Sequence, residues 1–62
     1  DSIDVENAAS ILEASDAHGA SNLREASLRF ILTNFDRVSK THSFNEMARA
    51  NIELVLEILA LR

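Results

Sequence analysis

The stretch Ser21–Phe35 limits what this chain can become more than any other part of it. Leu23, Ala26, Phe30 and Ile31 recur at the spacing of one helical face, and Leu28, Leu32 and Phe35 form a second apolar line on the same cylinder. A helix that is apolar around so much of its circumference belongs inside a bundle rather than on its surface. The pattern predicts a central helix over residues 22–35, capped by Ser21, with other helices leaning on it.

Size points the same way. The chain has 62 residues, enough for one small domain, and a domain of that size buries only about 60% of its unfolded surface. Small domains are commonly reinforced by disulfides, a metal or a partner. The absence of cysteine removes disulfides and thiolate zinc sites, leaving a well-packed bundle or a partner surface. There is no proline, no strand-like alternation and no internal repeat. The fold class expected is therefore all-α, a small bundle of four to five short helices in a single domain over residues 1–62.

Taken in order, Asp4 can accept bonds from the free amides of a first turn and Glu6 suits the positive end of the helix dipole. Ile3 and Ala8 sit at the positions of a hydrophobic staple. Val5, Ala8, Ala9 and Leu12 then mark a buried stripe, with Ile11 widening it, for a helix over about 5–17. Gly19, the only glycine, stands where a left-handed C-terminal cap is needed. The short link to Ser21 makes the first two helices a helical hairpin. Asp36–Lys40 reads as a short helical turn anchored by Val38, and residues 41–43 as a loop. Ser43 and Glu46 fit an S-x-x-E capping box opening a short helix over 44–50. Asn51 caps a last helix over 52–61.

That last helix carries two apolar lines. At about 100° per residue, Ile52, Leu56 and Leu59 cluster on one side and Leu54, Ile58 and Leu61 on nearly the opposite side. The expected core comprises Val5, Ala8, Leu12, Leu23, Ala26, Phe30, Ile31, Ile52, Leu56 and Leu59. Phe44, Met47, Leu54, Ile58 and Leu61 are assigned to self-association, since three large aliphatics kept in water each forgo roughly 1.5–3 kcal/mol of burial; the alternatives are that this second face packs on an upstream domain or that the bundle wraps both faces of the helix.

Catalysis finds little support. His18 and His42 stand in separate turns, and nothing supplies the three or four convergent ligands a metal needs. The serines include no G-x-S-x-G elbow, and one glycine cannot make a phosphate-binding loop. Glu53 and Glu57 lie at i, i+4, where mild repulsion is the ordinary consequence. The chain is expected to be no enzyme and to take no cofactor.

A net charge of −4 with scattered bases argues against nucleic acid, which is met by a basic face. A helix-turn-helix reading fails because the second helix spends its surface on the core. No apolar run approaches a membrane span. Asp1, Asp4, Glu6, Glu13 and Asp16 occur without Lys or Arg up to residue 18, which is either a solvated helix face or a contact for a basic partner.

The line Val5-Glu-Asn-Ala-Ala9, Ile11-Leu12, Ser15-Asp-Ala-His18, Ala20 and Leu23 resembles the start of a BACK domain, the helical region that follows the BTB (POZ) fold in many adaptor proteins. The resemblance is to the short form typified by the speckle-type POZ protein, and it continues through Leu23–Ile31, Asn34-Phe35, Val38, Thr41 and Phe44. Ser15 stands where alanine is usual and Ser27 where relatives often have cysteine; both are small, so packing should survive.

The resemblance implies an excerpt of a longer BTB-containing protein, in keeping with a start at Asp1 without an initiator methionine. It implies a non-catalytic interaction and self-association module of a substrate adaptor for a Cullin-3 ubiquitin ligase, intracellular, in nucleus or cytoplasm. The parent's BTB fold and the adjoining 3-box would hold Cullin-3, with residues from about Asp4 to Leu23 beside the end of that region. Self-association would give a homodimer or higher oligomer through the C-terminal helices. Two other readings stand beside it: a structural spacer that orients BTB against a neighbouring domain, and an acidic-helix recruitment surface for a basic partner.

Overall fold

Gly19 divides the first half of the chain. Its φ of 70° and ψ of 24° lie in the left-handed region, which glycine enters without steric cost. The amides of Gly19 and Ala20 turn back to the carbonyls of Asp16 and Ser15 at 3.4 and 2.9 Å, closing the helix end as a Schellman-type cap does. In the computed structural model, which describes residues 3–62, this cap separates α1 (Ala8–His18) from α2 (Ser21–Thr33); α3 (Phe35–Val38), α4 (His42–Ala50) and α5 (Ile52–Leu61) follow. The described residues form an all-α bundle of five helices. Asp1, counted above among the acidic residues, lies outside them.

Several helix starts differ from the sequence reading, each for a local reason. α1 begins at Ala8 rather than near residue 5. Asp4 and Asn7 each offer a side-chain oxygen to the other's backbone amide, at 2.9 and 2.8 Å, and hold residues 5–7 as a separate turn. The N-cap of α2 is Ala20, not Ser21, because the chain leaves the Gly19 turn already aimed into the helix. α4 starts two residues before the expected 44, at His42. Its cap is Thr41, whose Oγ1 accepts from the Phe44 amide at 3.2 Å and donates to the Val38 carbonyl at 2.7 Å. The expected Ser43–Glu46 capping box does not form. Ser43 Oγ instead donates to the Glu6 carbonyl at 2.8 Å, tying α4 to the turn before α1.

The core is built on small residues of α1. Ala8, Ala9 and Leu12 are fully buried, and α1 packs on both α2 and α4. Short side chains on α1 let both neighbours approach. Two buried serines sit in the same region: Ser15 donates to the Leu12 carbonyl at 3.0 Å, and Ser27 to the Leu23 and Arg24 carbonyls, each at 3.0 Å. A hydroxyl satisfied within its own helix carries little burial penalty. Leu28 and Ile31 of α2, Val38, Phe44, Met47, Leu54 and Ile58 complete the cluster, with Val5 and Phe30 packed at its edge. The Phe35 and Phe44 rings meet edge to face at 5.8 Å and 87°, a favoured aromatic geometry.

The hub is thus not α2 alone. α2 turns Ser27, Leu28 and Ile31 inward and leaves Leu23 and Ala26, both expected in the core, exposed. The difference is about one residue of helical phase, and it arises because Ser27, self-satisfied, occupies the inner position that an apolar count assigns to Ala26.

α5 differs more. Leu54 and Ile58 are buried. Ile52, Leu56 and Leu59, expected in the core, are 55%, 57% and 49% exposed. The two apolar lines lie on opposite sides as their spacing requires, but the helix is rolled the other way. Of the residues expected on an outer surface, Phe44, Met47, Leu54 and Ile58 are buried within the monomer, and Leu61 alone is exposed. Periodicity fixes the angle between two lines on a helix and not which of them faces inward.

Candidate interaction surface

α5 is the most apolar helix of the five by composition, and it packs mainly on α4 and α2. The inner line of Leu54 and Ile58 satisfies the core. The outer line of Ile52, Leu56 and Leu59 is continuous along the helix at i, i+4 and i+7, and Leu61 adds a further half-exposed side chain. Single exposed leucines are ordinary on a protein surface; an aligned set on one helix marks an interaction site.

The roll of α5 coincides with an ionic contact. Glu57 flanks the inner line, and its Oε1 takes a hydrogen bond from Arg24 Nη2 at 2.5 Å. Arg24 Nε reaches back to Asp16 Oδ1 at 2.9 Å. One half-buried guanidinium therefore joins α1, α2 and α5, using the several fixed donors that distinguish arginine from lysine. Hydrogen bonding to Glu57 and then to Asp16 raises the already high pKa of Arg24, against a smaller lowering by burial. This clasp has no signature in local spacing, since its partners are 8 and 33 residues away.

The remaining candidates for chemistry stay apart. His18 ends α1 and His42 opens α4, both exposed, and His42 Nε2 lies 3.4 Å from Glu46 one turn along. Among the described residues, no group of three His, Cys, Asp or Glu side chains converges as a metal site would require, and no helix is long and apolar enough to cross a membrane. An open hollow of about 400 Å³ at the α2–α3 junction is bordered by Phe35, Asp36, Arg37 and Arg62; the Arg62 guanidinium sits 4.4 Å over the Phe35 ring, a cation–π contact.

The acidic residues of the first turn and α1 do not form one patch of free charge. Asp4 is engaged with Asn7 and Asp16 with Arg24, while Glu6 and Glu13 are open or half-open to solvent.

The surface is therefore an apolar helix face on a small all-α scaffold, suited to protein contact. The family model for BACK, described as BTB And C-terminal Kelch, matches residues 8–61. No curated protein and no solved structure gives a match.

Proposed function

The chain belongs to the BACK family, and we propose on that premise that it is a non-catalytic module that self-associates through the outer face of α5. Within a BTB-containing parent it serves a substrate adaptor of a Cullin-3 ubiquitin ligase, the BTB fold and the region just after it holding Cullin-3. The observation that supports self-association is the exposed line Ile52, Leu56 and Leu59, whereas the spacing alone points to Leu54, Ile58 and Leu61.

Three half-exposed aliphatics forgo about half of the roughly 1.5–3 kcal/mol each would gain on full burial. Such a patch falls below the area of a stable standard interface, so the association is weak by itself and gains force when BTB contacts link the same molecules.

Sedimentation over a range of concentrations tests this. The wild type is expected to shift from monomer to dimer, and Leu56→Asp to remain monomeric with unchanged helical circular dichroism. A wild type that stays monomeric at every concentration overturns self-association. If an upstream extension of the chain abolishes the dimer, the outer face of α5 packs on the added residues, and the module is a spacer.

A further inference from the structure

α4 and α5 are separated by one residue, Asn51, with φ −148° and ψ 71°. Its amide already donates to the Met47 carbonyl at 2.7 Å, the i to i−4 bond of a continuing helix. Neither proline nor glycine lies at the junction or within either helix, so nothing in the covalent chain stops the two from joining. A change at Asn51 alone would give a single helix over residues 42–61, about 30 Å long at ~1.5 Å per residue, longer than the 24 Å greatest extent of the folded chain. The first amides of α5 would gain the helical carbonyl partners that a helix N-terminus lacks.

The joined helix has a specific pattern. Phe44, Met47, Asn51, Leu54, Ile58 and Leu61 recur at alternating steps of three and four residues, the spacing of a heptad seam. In the closed chain this seam is broken at Asn51 and folded back, with Phe44, Met47, Leu54 and Ile58 buried around one core. Straightening would draw Leu54 and Ile58 out of their own molecule, an unfavourable step for one copy alone. A second copy whose α5 has left an identical vacancy returns that burial in full.

We propose that α5 exchanges between two copies of this chain, with Asn51 as the hinge and the Arg24–Glu57 contact as the latch. The proposal goes beyond the self-association reading above, because it joins two copies through the inner line of α5 and not its outer face: Leu54 and Ile58 of each copy, buried in the closed chain, fill the other's core, and Glu57 meets Arg24 of the other copy. Exchange of an identical element through a short hinge is a low-cost route to a dimer.

The absence of cysteine makes the test clean. Chains carrying Arg24→Cys and chains carrying Glu57→Cys, one of them isotopically heavy, are mixed, denatured and refolded together, and treated with a short bismaleimide. A crosslinked product containing one light and one heavy chain is the result expected. In parallel, Asn51→Leu, which favours a continuous helix, should raise the dimer fraction at least several-fold, and Asn51→Gly should lower it. Dimers in which a chain bearing both cysteines crosslinks only within itself overturn the exchange and leave face-to-face self-association standing. A chain that never dimerises removes both readings. Equal dimer fractions for the two Asn51 variants, with helix content intact, remove the hinge.

Discussion

Glu57 accepts a hydrogen bond from Arg24 at 2.5 Å, while its neighbour Leu56 is 57% exposed. The two facts are linked by the geometry of one helix. A helix with apolar lines on opposite sides has two ways of burying one of them, and counting aliphatics favours burying Ile52, Leu56 and Leu59. The observed roll instead places Glu57 at the border of the core, where the guanidinium of α2 reaches it. Leu54 and Ile58 fill the inner space left by Met47 and the small residues of α1.

Arg24→Met should lower stability by about 0.5–1.5 kcal/mol, as expected for two partly exposed ion pairs sharing one arginine. In a domain of this size that corresponds to a melting shift of several degrees. High salt should remove much of the difference between the two proteins, since screening weakens the wild type alone. pH should not. The folded-state pKa of Arg24 is raised, so its contribution is complete below the unfolded value and is lost only as pH rises through the folded value. Both values lie above the working range, so the melting difference should stay constant from about pH 7 to 10. A difference that closes over that interval contradicts the clasp.

What could be read from the sequence was what is local. The all-α bundle of four to five helices, the left-handed turn at Gly19 and the bounds of α5 follow from residue spacing and one glycine. Local spacing does not carry the roll of α2 and α5. Ser27 hides a core position behind a polar side chain whose hydroxyl bonds to its own helix. Arg24 hides a contact to α5 across 33 residues. Spacing therefore separates the two sides of α5 without saying which faces inward, and Leu54 and Ile58, expected on the outer side, are buried.

Ile58 and Leu56 should respond to alanine in opposite ways. Ile58 is fully buried, so Ile58→Ala should cost about 2–4 kcal/mol from lost transfer energy and the cavity left behind. Leu56→Ala should cost under about 1 kcal/mol, as a surface change does, while weakening self-association. Denaturant unfolding of the two variants at a concentration where the wild type is monomeric separates the effects. Equal losses would place both residues in the core and remove the assigned outer face.

Thr41 and Ser43 offer a second contrast. Thr41 caps α4 through Oγ1 and bonds back to Val38, so Thr41→Ala should cost about 1–2 kcal/mol, the upper part of the range for a lost cap. Ser43 Oγ donates to the Glu6 carbonyl in an exposed bond that water can replace and lies a long 3.5 Å from Thr41 Oγ1, so Ser43→Ala should cost about 0.5 kcal/mol or less. The reverse order in thermal unfolding would restore the capping box expected from sequence.

Gly19→Ala isolates backbone conformation from packing. A methyl group built at Gly19 meets nothing within 4 Å, so no clash opposes it. The φ of 70° remains unfavourable for an L side chain, at roughly 1–2 kcal/mol. Part of that loss is offset by the smaller conformational entropy of alanine in the unfolded chain, leaving a net cost near 1 kcal/mol. Asparagine tolerates the left-handed region better than alanine, so Gly19→Asn should recover part of the stability although its side chain is larger. An asparagine variant less stable than the alanine variant would mean that space, not φ, governs the turn between α1 and α2.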